Sequence, residues 1–202
     1  MNIKKLYYWH RRLLHLKAWY FLIPAIIFGL LAVHGLRSNY SKMVTLREAV
    51  YTTDRQNGDI EAALAALREH VHSHMNTDLA SGDNAIRPPI QLKARYERLA
   101  AREAERVKAQ NTHVAMTAER VCAQPFPGDG YNAPRVTCIQ DYVGANAIDK
   151  EQAVPDGLYK FDFVSPRWSF DLAGISILLA GVFTIFFITR LLLEYYLRRK
   201  LS

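Results

Sequence analysis

Three histidines stand at alternate positions in the stretch REHVHSHMN, residues 68–76, with a methionine behind them. On a helix turning about 100° per residue, His70 and His74 share one edge and His72 points away. Imidazoles at i, i+4 can chelate one Zn²⁺ or Cu²⁺, but a stable site needs a third or fourth ligand. Asp78 or His113 can supply one if the fold brings it near. His70 and His74 are therefore the candidate metal ligands. The competing reading makes all three histidines the half-exposed polar border of an apolar stripe. A third reading is a pH-responsive contact, since a free imidazole titrates near pH ~6.5.

Cys122 and Cys138 are the only cysteines. With no C-x-x-C spacing and no third cysteine, they fit a disulfide in an oxidising compartment better than a zinc knuckle or a redox centre. The alternative is two free thiols. No G-x-S-x-G, H-E-x-x-H, glycine-rich phosphate loop or EF-hand loop occurs. The acids Asp162 and Asp171 lie close to an apolar run, where a place at the start of a helix is expected of them before catalysis. The sequence therefore predicts no enzymatic activity and requires no cofactor.

The elements that position these residues begin with two apolar runs. Residues 18–36 (AWYFLIPAIIFGLLAVHGL) and 172–189 (LAGISILLAGVFTIFFIT) contain no Lys, Arg, Asp or Glu. A hydrocarbon layer of ~30 Å needs about twenty helical residues, so each run can span it, and neither shows the polar face of a soluble core helix. The first run is longer than the apolar part of a cleaved signal and lacks an A-x-A site, so an uncleaved anchor is expected. Trp19, Tyr20, Trp168, Phe170, Tyr195 and Tyr196 fall where aromatic rings favour the membrane interface. Ala25 and Gly29 in the first run, and Gly174 and Gly181 in the second, are small residues that let helices approach, within the chain or between chains.

The formal net charge of +7 follows from the same layout. Lys4, Lys5, Arg11, Arg12 and Lys17 stand in the first tail, and Arg190, Arg198, Arg199 and Lys200 at the end of the second span and in its tail, against the single acid Glu194. The segment between them holds seventeen basic and eighteen acidic residues. Basic flanks stay on the cytoplasmic side, so both tails are expected inside and the middle outside. The excess charge sits beside lipid, which argues against nucleic acid as a partner. The expected order is a cytoplasmic tail (1–17), a transmembrane helix (18–36), an extracytoplasmic helical domain (37–167), a second transmembrane helix (168–190) and a cytoplasmic tail (191–202).

Within the outer segment, Met43, Leu46 and Val50 carry the first helix out to about Arg55. Gly58 is expected in the left-handed position that ends it, and Asp59 as the cap of the next helix. That helix repeats Ile60, Leu64, Leu67, Val71 and Met75 on one stripe, so the two form an αα-hairpin. Residues 76–91 read as a loop. A long third helix is expected from Pro89 to about Val121, its thin seam made of Ala100, Val107, Val114 and Val121. Residues 122–138 read as a loop stapled at its ends, with one short helix after it. Tyr159, Phe161 and Phe163 alternate as in a short strand, and Ser165 with Pro166 is expected to open the second span. The fold class is thus mainly α.

The stretches HMNTDLASGDNAIRPPIQLKARYERL and CIQDYVGANAI…LYKFDFVSPRWSFDLAG resemble an uncharacterised family of small two-span cell-envelope proteins from ultra-small, Saccharibacteria-like candidate-phyla bacteria. The resemblance covers most of the outer segment and the second span. It implies a bacterial cell-envelope setting and carries no activity or site residues with it. The order of span, helical outer domain and span is also similar to that of polysaccharide chain-length regulators, though only Pro166 matches their proline-rich approach to the second span. These features lead to a non-enzymatic membrane scaffold or accessory subunit, in contact with lipid and with a protein partner or further copies of itself. A ligand- or ion-sensing module signalling through a partner is the alternative.

Overall fold

A computed structural model of the chain describes residues 8, 17–82, 88–127, 132–164 and 166–201. Helix α1 (Trp19–Gln56) is followed by α2 (Ile60–His74), strands β1 (Asp78–Ser81) and β2 (Ile90–Gln91), α3 (Lys93–Ala123) and α4 (Ala133–Asn146). A 3-10 turn at Asp156–Leu158, strand β3 (Lys160–Val164) and helix α5 (Leu172–Leu201) complete the order. The protein is mainly helical, and among the described residues the strands form a three-stranded sheet in the order β1-β3-β2. The chain divides into two compact units. The first comprises Met1–Thr52, Asp59–Ala80 and Phe163–Ser202, and the second Thr53–Gly58 and Ser81–Asp162. Residues 37–167, read from the sequence as one domain, are thus shared between both.

In the first unit α1 and α2 close into the expected hairpin. Met43 and Val50 of α1 are buried, as are Ile60, Leu64, Leu67 and Val71 of α2. Each such side chain stabilises the fold by about 1.5–3 kcal/mol through apolar burial. Asp59 caps α2 as expected, its carboxylate accepting from the Ala62 N–H at 3.0 Å. Further along the unit, α1 and α5 meet where Gly35 faces Ala173, and Phe28 stacks on Phe183 with ring centroids 5.8 Å apart. Both helices are long and apolar enough to cross a membrane. Only 17% of each apolar window is buried, whereas a soluble core helix would be mostly covered.

The turn that ends α1 differs from the sequence expectation. Asn57, with φ of 54°, takes the left-handed position, one residue ahead of Gly58. The Gly58 N–H then reaches back to the Thr53 carbonyl at 3.0 Å, which closes the last turn of the helix. Asn tolerates this conformation better than other side chains because its short amide bonds locally.

The second unit is built on α3, along which the rest of the chain runs back. Cys122 is bonded to Cys138, with Cα atoms 5.9 Å apart. Ten residues beyond Cys138, Ile148 exchanges two hydrogen bonds with the Asn111 amide, at 2.8 and 3.0 Å. The Gln152 N–H donates to Glu103 at 3.0 Å, and the Tyr159 ring meets Tyr96 at 4.8 Å. Phe161 finally pairs with Ile90 across β3 and β2. Each contact lies closer to the N-terminus of α3 than the one before, so residues 138–161 close onto the helix from its far end.

Three expectations for this region are corrected. Pro89 does not open the third helix: Ile90 and Gln91 pair with β3 first, because Ile90 and Leu92 are buried there, and α3 starts at Lys93. The seam of α3 keeps Val114 but continues through Ala118 and Cys122, leaving Val121 46% exposed, because the disulfide fixes which face turns inward. Within the stapled loop, residues 133–138 are already helical, with the Asn132 side chain accepting from Arg135 N–H at 3.0 Å and Pro134 in the first turn of α4. The second span also begins later than expected. Pro166, Trp168 and Phe170 precede the helix, which starts at Leu172. Ser165 lies outside the described residues.

Glu103 gives this unit an acid-sensitive contact. The Arg106 guanidinium, 2.8 Å away, and then the Gln152 N–H hold its carboxyl at about 2, against an ordinary value of 4.5. Because the folded value is depressed, the contact is fully present above the ordinary carboxylate range and is lost as pH falls through about 2. The Gln152 amide resonance should titrate with a midpoint near 2 and not near 4.5, and Glu103→Gln should abolish the transition.

Candidate functional site

The histidine stretch forms the last turns of α2, and the structure sorts its members into two separate roles. His70 and His74 come together as their spacing predicts, their rings stacked with centroids 4.9 Å apart. His70 is buried, and its Nε2 lies 2.9 Å from the Asn39 carbonyl oxygen, which accepts its proton. That bond engages one of the two ring nitrogens that could take a metal. Asn39 also donates its side-chain amide to the His74 carbonyl at 2.8 Å and to the Asp171 carboxylate at 2.5 Å. The second oxygen of Asp171 accepts from the Gly174 N–H at 2.8 Å, in the first turn of α5. Asp171 thus serves the start of that helix, as expected. One asparagine ties α1, α2 and the beginning of α5 together.

His72 points the other way, also as expected, but it is not idle. Its Nδ1 lies 2.6 Å from Asp78, and Arg167 Nη1 stands 2.6 and 2.7 Å from its two ring nitrogens. Asp78, one of the two extra ligands considered for the His70/His74 pair, therefore serves His72 instead. Among the described residues, no group of three or more His, Cys, Asp or Glu side chains is placed to hold a metal ion. A shallow depression of about 490 Å³ opens beside His72, lined also by Ala65, Arg68, Glu69, Asp78 and Leu79. It offers both signs of charge on an open, hydrated surface, suited to a polar contact with a partner.

No family model, curated protein or solved structure matches the chain. Its function must be read from its own residues.

The segment joining this cluster to α5 is held by Asn76, which the sequence reading passed over as part of a loop. Asn76 adopts φ of 55°, donates its N–H to the Ser169 hydroxyl at 3.0 Å and accepts from Ser169 N–H at 2.7 Å through its side-chain oxygen. Its carbonyl accepts from Arg167 N–H at 2.8 Å. Replacing Asn76 with Ala removes the side-chain acceptor and puts into the left-handed conformation a residue that tolerates it less well than Asn. The expected loss of unfolding free energy, read by chemical unfolding, is about 2 kcal/mol. Asn76→Gly, free of the conformational part, should lose about half as much.

The other predicted residues are placed as follows. Trp19, Tyr20, Trp168, Phe170, Tyr195 and Tyr196 are all exposed, with Phe170 reaching 80%. Gly29 and Gly181 have no atom within 4 Å of a would-be Cβ, so helix pairing inside the chain is not made there. The close approach is instead at Gly35 and Ala173, and the buried Ala32 and Ser176 lie one turn away from them on α1 and α5. Ala25 is half-buried on α1. Gly174 is small for another reason, since a Cβ there would collide with the Ser169 carbonyl oxygen. The basic residues before Lys17 lie outside the described residues.

Proposed function

We propose that the protein is an integral membrane scaffold or accessory subunit of a bacterial cell-surface complex, with both tails cytoplasmic and residues 37–167 extracytoplasmic. The apolar windows of α1 and α5, exposed along most of their length, support the membrane setting, and a Cys122–Cys138 disulfide fits an oxidising exterior. The observation that carries the binding role is α3. A 31-residue helix is about 46 Å long, yet only Val114, Ala118 and Cys122 of α3 are buried. Its exposed faces carry Lys, Arg and Glu with Met116 and Val121 among them, a surface that a partner helix or a second copy can cover. The resemblance to two-span envelope proteins points to the same setting.

The native mass of the gently extracted full-length chain tests this reading. Particles larger than one 23.1 kDa chain, lost when exposed α3 residues such as Met116 and Val121 are changed to Glu, are expected. A monomer that brings no partner out of its own membrane would overturn it.

The alternative sensing role is favoured by one feature, the Asn39 network. A shift of α2 at His70 or His74 would be felt at Asp171, where α5 begins. Binding of a ligand there would have to change this network, which Asn39→Ala would uncouple.

A further inference from the structure

We infer that the outer end of α1 holds the phosphate of an anionic membrane lipid. A depression of about 640 Å³ is lined by His34, Arg37, Ser38, Ser41, Lys42 and Thr45. At about 100° per residue these six fall within a face of about 140° on α1, so they present one polar stripe. Between Arg37 and Arg47 the chain has no acidic residue. Neither Arg37 nor Lys42 has an ion-pair or hydrogen-bond partner among the described residues, whereas Lys93, Arg98, Arg106, Lys160 and Arg198 all do.

Position along the helix selects the ligand. Val33 and Leu36 are 64% and 46% exposed, about one turn below Arg37 and just below it, as acyl-chain contacts would be. The apolar run ends at Leu36, and the rise from His34 to Lys42 is about 12 Å, enough to cross the headgroup layer. The planar guanidinium of Arg37 can take two phosphate oxygens, the Lys42 ammonium adds a point charge above it, and the Ser38 and Ser41 hydroxyls lie between them as neutral donors. Cations directly outside a span also run against the usual bias of basic residues toward the cytoplasmic side. A bound anionic headgroup accounts for their placement.

The inference rests on the proposed membrane setting, and the test separates the two. The full-length chain is placed in nanodiscs of mixed phosphatidylcholine and phosphatidylglycerol, then released for native mass measurement with its retained lipids. Failure to enter nanodiscs would overturn both the membrane reading and this site. On entry, phosphatidylglycerol should be retained over phosphatidylcholine, and Arg37→Gln with Lys42→Gln should lower that retention about tenfold or more. The exposed Lys17→Gln, at the opposite end of the same span, should change it less than about twofold. Equal effects from Lys17→Gln, or no preference in the unaltered chain, would overturn the site. Displacement of phosphatidylglycerol by millimolar inorganic phosphate would overturn the lipid as the source of the anion.

Discussion

Replacing Asp54 with Ala should lower the stability of the folded chain by about 3 kcal/mol, with the loss concentrated at the start of α3. Asp54 is 3% exposed and belongs to the last turn of α1, yet its carboxylate caps another helix. It accepts from Ala94 N–H at 3.1 Å and Arg95 N–H at 2.7 Å, two of the donors that α3 itself leaves without partners. Leu92, at the position before the helix, has no side chain able to do this. The same carboxylate takes Arg98 Nη2 at 2.9 Å, and Arg98 Nη1 bonds the Asp54 carbonyl at 2.9 Å. Removing Asp54 therefore leaves two part-buried N–H groups and a mostly covered guanidinium uncompensated. Asp54→Asn keeps one acceptor oxygen and should lose less. Replacing Arg98 with Met alongside Asp54→Ala should recover part of the loss, a coupling that a double-mutant cycle in chemical unfolding would measure.

The disulfide should have an effect of similar size. Changing Cys122 and Cys138 together to Ala opens a loop of sixteen residues and is expected to destabilise by roughly 3 kcal/mol through chain entropy. Its consequence reaches further than the loop. The contacts of Ile148, Gln152 and Tyr159 along α3, and of Phe161 with Ile90 before it, all follow the bridge in sequence, so their closure starts from a fixed end. Loss of the bridge should make residues 133–161 the first to exchange amide protons, ahead of the α1–α2 hairpin. Reductant applied to the unaltered protein should reproduce the shift and retard it on a denaturing gel.

Most of the helical framework was legible in the sequence because it rests on local rules. The two apolar runs, the Ile60 to Val71 stripe and the Asp59 cap each act over one or two turns, where period and capping chemistry decide. The sheet was not legible. Ile90 and Gln91 read as the approach to a helix, and only the distant Lys160 and Phe161 make them a strand. Asp54 shows the same limit, since nothing near it announces that it caps a helix forty residues later. Among the site residues, the pairing of His70 with His74 and the outward turn of His72 follow from helical spacing. Arg167 and Asn76 do not, because their partners stand 95 and 93 residues away in the chain.

The central claim is that α3 and the disulfide-bonded unit face the exterior while both tails face the cytoplasm. Intact cells treated with an amine reagent that cannot cross membranes, followed by site mapping of the modified lysines, test it directly. Lys93 and Lys108, both exposed on α3, should be labelled from outside. Lys4, Lys5 and Lys200 should react only after the membrane is opened. Labelling of the tail lysines in intact cells, with Lys93 and Lys108 protected, would contradict the account.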